Sequence, residues 1–372
     1  MGDKILTVGI PAYKAYDHIC DCLSSIQIQS IKKDVAIIIA SDNPQDNYDF
    51  TQKRFKDLDI TILKCEKNTG PGLARQRCLE ACKTDWITFI DADDVFYSPF
   101  ALEQLYHGIQ QNTIEVQGTF FREVDEKNPQ GIRAVPQENP YHPWVFGRLY
   151  NTKFLKQNDI KFTELRAMED GEFNWKIRMT IEGSPWQITM LQSPIYLWRV
   201  GSEHSITRFM DEEKDNGEEN IPQYNFDLCQ IGATIASIRA AKFCKEKNPF
   251  NGGIDRFIAE MMVDKYFTYI ECKKKKPIFT EQNFFNAKRF YHECYKEIED
   301  KITEKILTDI YTMQRAQHGA DLLGVIPDIS FFEFMEKIKS EKYGAEEELK
   351  EIRKKLPKKI IENDIKTGVA TF

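Results

Sequence analysis

Short apolar runs alternate with amphipathic segments along the N-terminal half of the chain. Residues 6–10, 35–40 and 60–63 are apolar and rich in β-branched side chains, a pattern that predicts buried strands. Residues 15–29 place apolar side chains three or four positions apart, and residues 73–82 follow a glycine-rich turn, so both segments predict helices. Strands and helices that alternate with short connections predict a doubly wound α/β domain.

A further buried strand, predicted at residues 86–90, runs directly into Asp91, Asp93 and Asp94. Ligands of open α/β sheets bind beyond the carboxyl ends of the strands, so these carboxylates lie where chemistry is expected. Acids this close together favour a hard divalent cation, which prefers oxygen ligands and can also hold a phosphate. The alternative is a polar turn without a ligand, because Asp is common in turns.

The glycine-rich turn at residues 67–72 opens the helix that carries Arg75. This turn lacks the ending of a P-loop and the three spaced glycines of a dinucleotide-binding loop. Arg75 is expected near the carboxyl edge of the sheet, where its guanidinium can stabilise a nucleotide base or phosphate through charge-assisted hydrogen bonds. The alternative is a solvated helix residue, which is also our interpretation of Arg77.

From residue 224 onwards, apolar side chains recur at helical spacing, and Pro and Gly are sparse within the periodic stretches. This pattern predicts a mostly α-helical second domain. We therefore predict a catalytic domain at residues 1–222 and a helical C-terminal domain at residues 223–372.

Composition narrows the class of protein. The 372 residues include 58 acidic and 51 basic side chains, and the resulting net charge of -7 does not favour a general nucleic-acid binder. No apolar run is long enough to span a bilayer, and the N-terminus lacks a signal-peptide pattern, so we expect no transmembrane segment and a cytoplasmic location. The nine cysteines show no paired metal-binding spacing, which fits reduced thiols.

Five sequence blocks stand out in order along the chain: residues 8–13, 22–29, 37–42, 68–75 and 89–94. Together they resemble the nucleotide-sugar domain of family 2 glycosyltransferases, and the resemblance covers roughly residues 5–206. It implies the GT-A fold, a Rossmann-like mixed sheet, followed here by the mostly α-helical C-terminal domain. One departure is that the family usually has two adjacent acids after its second strand, whereas this chain has Ser41 and Asp42.

The resemblance implies an activity and a donor site. Family members take a sugar from a nucleotide-diphosphate sugar, usually with Mn²⁺ or Mg²⁺, and invert the anomeric centre. Pro11 and Tyr13 would line the nucleotide, and Asp42 would read the edge of the base. Arg75 would also contact the nucleotide.

The acid-rich turn matches the family's DxD motif. Asp91 would lie near the ribose and contribute to the metal site, and Asp93 would bind the metal. Asp94 would support the motif or contact the sugar. His204 would contact the diphosphate or complete the metal shell, although a loop histidine is often only solvated.

An acidic pair further along the chain resembles the family's Glu-Asp motif at a helix start. Asp170 would be the general base that takes the proton of the acceptor hydroxyl, with Glu169 as the second choice. The alternative is that Asp170 only caps the helix, because the helix dipole favours a carboxylate there.

These observations predict a metal-dependent inverting glycosyltransferase, with a hexose from a UDP-sugar favoured. The molecule that carries the acceptor hydroxyl is left open: a polysaccharide, a protein, a lipid-linked sugar or modified nucleic acid. The helical C-terminal domain would select this acceptor or join subunits into a homo-oligomer. Two other classes of protein compete with this prediction. A catalytically inactive GT-A-like scaffold would bind through its helical half, and a nucleotidyltransferase would need a glycine-rich basic signature near the first strand, which is missing.

Overall fold

The computed structural model divides into two compact units. The described residues are 4–126, 131–137, 142–165, 168–199 and short segments between 236 and 333. The two units are residues 1–165 with 169–208, and residues 166–168 with 209–372. The predicted domain boundary at residue 222 lies outside the described residues and stays a prediction.

A mixed sheet of nine strands forms the centre of the first unit. Strands β1 to β4 pair in parallel, in the order β3-β2-β1-β4, and the order continues β8-β6-β9-β5, with β7 paired to β6. The strands are β1 Leu6–Ala12, β2 Val35–Ser41, β3 Asp59–Leu63, β4 Trp86–Phe89, β5 Val95–Phe96, β6 Thr113–Glu126, β7 Gly131–Gln137, β8 Arg148–Asn151 and β9 Gln187–Trp198.

Six α-helices accompany the sheet in the described part of this unit. Helix α3 packs closely on β1. A Cβ atom added to Gly9 of β1 would lie only 2.9 Å from the Cβ of Cys78 in α3. Glycine at this position therefore permits the contact. The helices are α1 Ile19–Gln27, α2 Asp49–Arg54, α3 Pro71–Ala81, α4 Ala101–His107, α5 Thr152–Gln157 and α6 Glu169–Ile181.

The parallel strands that the apolar runs predict are all present. The first of them extends past Pro11, which we did not expect. Gly9 accepts the Ile90 N–H from the β4 side, so Pro11, two positions on, faces the same side. The pairing of β1 with β4 ends at Gly9. Pro11 therefore lies beyond the paired residues, and its missing N–H costs no hydrogen bond between these strands.

The polar sequence of residues 125–140 predicts a loop, and this prediction is wrong. Most of this segment continues β6 or forms β7, and the two strands pair as an antiparallel hairpin. Ile132 is 58% exposed and Val124 is 36% exposed. Because neither face of the hairpin tip is buried, its sequence does not need the alternation of apolar and polar residues that identifies a strand. The short helix α2 was also not predicted.

Little of the second unit is described. Residues 239–247 are helical, as the prediction of a helical C-terminal domain requires of them, and the other predicted helices lie largely outside the described residues. Within the described residues, no helix has both the length and the apolar character needed to cross a bilayer.

Candidate active site

The predicted site residues of the first unit gather at the carboxyl edge of the parallel strands. Asp42 follows β2, and the acid-rich segment Asp91–Asp94 follows β4. Asp91–Asp94 is a tight turn, in which the Asp94 N–H donates to the Asp91 carbonyl over 3.0 Å. We call this segment the acidic turn. Helices α3 and α6 begin at the same edge and bring in Arg75 and the Glu169–Asp170 pair.

Arg75 is the centre of the charge arrangement. Its guanidinium donates to an Asp91 oxygen over 2.6 Å and to a Glu169 oxygen over 2.6 Å. The Arg75 side chain is 6% exposed, which rules out the interpretation as a solvated helix residue. Since a buried cation needs charged partners, Arg75 and the two carboxylates form one electrostatic unit that joins the acidic turn to α6. The predicted contact of Arg75 with a nucleotide stays a prediction.

Helix α6 presents two acids in its first turn. Glu169 is buried against Arg75, while Asp170 is partly exposed and accepts the Gly171 N–H over 2.8 Å. A Cβ atom on Gly72 would lie 3.0 Å from the Cγ of Glu169, so glycine in α3 permits this close approach. Burial raises the pKa of Asp170, and the nearby Arg75 guanidinium opposes this rise. Burial and the Asp170 carboxylate likewise raise the pKa of Glu169, again against Arg75.

Asp94 turns inward and is 3% exposed. Its carboxylate accepts the Tyr196 hydroxyl over 2.5 Å and the Arg199 N–H over 2.7 Å, so both partners come from the end of β9. Burial and the carboxylates of Asp93 and Asp91 raise the pKa of Asp94. This position favours the supporting role predicted for Asp94 over a contact with the sugar.

Asp42 is held by the loop that precedes α3. Its two oxygens accept the N–H groups of Thr69 and Gly70 over 3.0 and 2.8 Å, and one of them also accepts the Thr69 hydroxyl over 2.7 Å. Arg77 donates to Asp42 over 3.3 Å and to the Ser41 carbonyl over 2.8 Å. Arg77 is therefore part of this loop support, and our interpretation of it as a solvated residue is wrong. The reading of a base edge by Asp42 stays a prediction.

Three further residues, Pro11, Tyr13 and His204, are predicted to contact the nucleotide sugar. Pro11 lies at the carboxyl end of β1, and Tyr13 follows it with 41% of its surface exposed. An exposed aromatic ring at this edge is available to stack on a base. His204 lies outside the described residues, so its role stays a prediction.

The acidic turn carries the carboxylates of the predicted metal site. No three Asp, Glu, His or Cys side chains converge as a metal cluster among the residues that the structure describes. Mg²⁺ usually needs only one or two protein carboxylates, because phosphate oxygens and water supply the other ligands. Asp93 at the corner of the acidic turn and Asp91, whose side chain is 35% exposed, fit that smaller requirement.

Two pairings in this site were not predicted from the sequence, and one of the residues involved, Tyr196, was not predicted at all. The pairing of Arg75 with Glu169 joins residues 94 positions apart, and that of Tyr196 with Asp94 joins residues 102 positions apart. Neither pair follows from a local pattern. The acids themselves were found because each stands at the end of a strand or the start of a helix.

A mixed sheet with helices packed on it and with acids at its carboxyl edge is the arrangement expected of a GT-A domain. Residues 7–167 match the family model described as glycosyl transferase family 2. The chain thus carries a family 2 glycosyltransferase domain, which confirms the resemblance seen in the sequence.

Comparison with known proteins agrees with this assignment. Glycosyltransferase GlyA of Streptococcus pneumoniae is 24% identical over 237 residues, which are 57% of this chain and 32% of that protein. A poly(ribitol-phosphate) beta-glucosyltransferase of Bacillus spizizenii is 24% identical over 229 residues, which are 57% of this chain and 35% of that protein. The chain thus spans about a third of the length of these two relatives.

One solved structure shares the fold over most of the chain. The crystal structure of S. aureus TarS superposes with a TM-score of 0.54 at 18% identity, and the match covers 84% of this chain and 52% of TarS. At this identity the similarity concerns the fold alone. The GT-A fold predicted from the sequence is confirmed.

Proposed function

We propose that the protein is an inverting glycosyltransferase that moves a hexose from a nucleotide-diphosphate sugar, preferably a UDP-sugar, to a hydroxyl group. One observation carries the proposal. Arg75 links the acidic turn to the start of α6, so that the acids expected at the donor and at the acceptor meet at one edge of a family 2 domain.

The donor side of this reaction requires positive charge near the diphosphate. Asp93 and Asp91 would hold Mn²⁺ or Mg²⁺, with phosphate oxygens and water as the other ligands. When bound, the ion would offset the negative charge that the diphosphate gains as the bond to the sugar breaks. Pro11 and Tyr13 would line the nucleotide, and His204 would lie near the diphosphate.

The acceptor side requires a base. Asp170 would take the proton of the acceptor hydroxyl, while the hydroxyl oxygen attacks the anomeric carbon from the face opposite the leaving diphosphate. Burial raises the pKa of Asp170 and makes it a stronger base than an ordinary carboxylate. Glu169 is the weaker candidate, because its carboxylate already pairs with Arg75.

The acceptor class is suggested by a relative. The relative in Bacillus spizizenii is named poly(ribitol-phosphate) beta-glucosyltransferase, which supports a hexose donor and a hydroxyl on a polymeric acceptor. Among the four acceptor classes left open by the sequence, we therefore favour a polysaccharide or a related polymer. A cytoplasmic location and a homo-oligomer remain predictions.

The experiment that tests the proposal is a donor screen. The protein is incubated with UDP-glucose, UDP-galactose, UDP-N-acetylglucosamine and GDP-mannose, with Mn²⁺ and with chelator, and release of the nucleoside diphosphate is measured. We expect slow release from at least one donor in the presence of Mn²⁺. No release from any donor, with no Mn²⁺-dependent binding of UDP, would support an inactive scaffold. Release of pyrophosphate from a nucleoside triphosphate and a sugar phosphate would indicate a nucleotidyltransferase.

A further inference from the structure

The ends of the acidic turn share one bonding partner outside the turn. The Tyr196 hydroxyl accepts the Asp91 N–H over 3.2 Å and donates to the Asp94 carboxylate over 2.5 Å. Asp91 is the first residue of the four-residue turn and Asp94 is the last. A single hydroxyl group therefore bonds to both ends of the segment that carries Asp93.

This hydroxyl is itself held firmly. Tyr196 is fully buried, and its ring stacks on Phe146 with 4.3 Å between the ring centroids and 12° between the planes. The second oxygen of Asp94 accepts the Arg199 N–H over 2.7 Å, and the Arg199 side chain donates to Asp21 of α1 over 3.0 Å. The end of β9 thus connects the acidic turn to two other parts of the unit.

We infer that Tyr196 and Asp94 are positioning residues, which fix the acidic turn so that Asp93 points its carboxylate at the metal ion. This inference rests on the proposed function. Asp93 occupies the third position of the turn, so its backbone direction depends on the distance between the two ends. Metal ligands must be held within about 0.5 Å of their working geometry, and groups that orient a ligand are often needed for affinity.

A purely structural role makes a different prediction. In that case the loss of the Tyr196 hydroxyl would lower stability and leave metal binding unchanged. The chain offers a matched control in Tyr48, which is also fully buried. The Tyr48 hydroxyl donates to Asp46 over 2.9 Å and accepts the Ala15 N–H over 3.0 Å, the same pair of bonds in a part of the sheet edge away from the acidic turn.

The test measures how strongly Mn²⁺ improves UDP binding. Calorimetry gives the ratio of UDP affinity with Mn²⁺ to that with chelator, for wild type, Tyr196→Phe and Tyr48→Phe, and thermal unfolding gives their stabilities. We expect both variants to lose stability. We expect the affinity ratio to fall about 10- to 100-fold in Tyr196→Phe and to stay at the wild-type value in Tyr48→Phe.

A wild-type ratio in Tyr196→Phe would overturn the inference, and so would an equal fall in Tyr48→Phe. If Tyr196→Phe does not fold, Asp94→Asn serves the same test, because it keeps the shape of the side chain and removes one acceptor oxygen. A wild type that binds UDP, GDP and CDP no better with Mn²⁺ would contradict the proposed function as well. A wild-type Mn²⁺ effect that survives in the variants overturns only the positioning role.

Discussion

Two acids follow buried parallel strands, and their carboxylates lie in opposite environments, one buried and one partly exposed. Asp42 follows β2 with 5% of its side chain exposed, and it accepts hydrogen bonds from Thr69, Gly70 and Arg77. Asp91 follows β4 with 35% of its side chain exposed, and it accepts from Arg75. The same sequence signal thus leads to a loop support in one place and to a candidate ligand site in the other.

The difference lies in which donors surround each carboxylate. Backbone N–H groups satisfy the Asp42 oxygens whatever ligand is present, so the charge of Asp42 serves the fold. The Asp91 carboxylate pairs with Arg75 and keeps 35% of its side chain exposed, and a carboxylate that retains exposure can still accept a cation. We therefore expect substitutions in the acidic turn to change ligand binding and a substitution of Asp42 to change stability.

The largest effect is expected for Asp93→Ala. Removing the carboxylate at the corner of the acidic turn should abolish the improvement of UDP binding by Mn²⁺, because the other proposed ligand, Asp91, is already paired with Arg75. Calorimetry with and without Mn²⁺ measures this improvement. A suitable control is Asp57→Ala, which removes a surface acid with a side chain 45% exposed and should keep the improvement. Equal Mn²⁺ effects in wild type and Asp93→Ala would contradict the assignment of the metal ligand.

Asp170→Asn tests the other end of the charge arrangement. The amide cannot take a proton, so turnover should fall on the order of a hundredfold or more, while UDP binding stays intact. Steady-state kinetics with the donor identified by the screen, together with UDP calorimetry, separate the two effects. Asn keeps an oxygen that can accept the Gly171 N–H, so a role of Asp170 as a mere cap predicts near wild-type stability and near wild-type turnover.

The parallel part of the sheet could be predicted from the sequence, and the far part could be predicted only in outline. Strands such as β2 are covered on both faces, so they appear as uninterrupted apolar runs. The hairpin of β6 and β7 is exposed toward its tip and has no such run. Apolar runs therefore identify strands that are buried in the core, and they do not identify strands that project from it.

The candidate site divides in the same way. Asp91 and Asp93 could be located because they follow a buried strand at the carboxyl edge of the sheet, and Asp170 through its resemblance to a family motif. The pairings could not be predicted, because Arg75 meets Glu169, and Tyr196 meets Asp94, only through the topology of the whole unit. Long-range pairs of this kind decide which acid is buried, paired or accessible, and the sequence contains no local signal for them.

Arg75→Gln tests whether Arg75 stabilises the fold by linking the acidic turn to α6. The substitution leaves the carboxylates of Asp91 and Glu169 without their shared cation, so the free energy of unfolding should fall by about 2–3 kcal/mol. This value lies below the usual cost for a fully buried pair, because Asp91 keeps 35% of its side chain exposed. Urea unfolding measures the loss.

Arg77→Gln is the matched control, because Arg77 lies on the same helix with 24% of its side chain exposed and a longer ion pair of 3.3 Å. Its loss of stability should be smaller. If Arg77→Gln costs as much as Arg75→Gln, the special position of Arg75 between the acidic turn and α6 is contradicted.

Asp42→Asn is expected to have the smallest effect, and it separates the two roles considered for this acid. An amide can accept with one oxygen only, so part of the loop before α3 loses its partners, at a cost of about 1–2 kcal/mol in unfolding free energy. If Asp42 acts mainly as a loop support, the preference for UDP over CDP stays at the wild-type value, as calorimetry with the two nucleotides can show. If Asp42 reads the base edge, that preference shifts, because an amide offers a donor where the carboxylate offers an acceptor. The exposure of 4% and the bonds to Thr69 and Gly70 lead us to expect the first result.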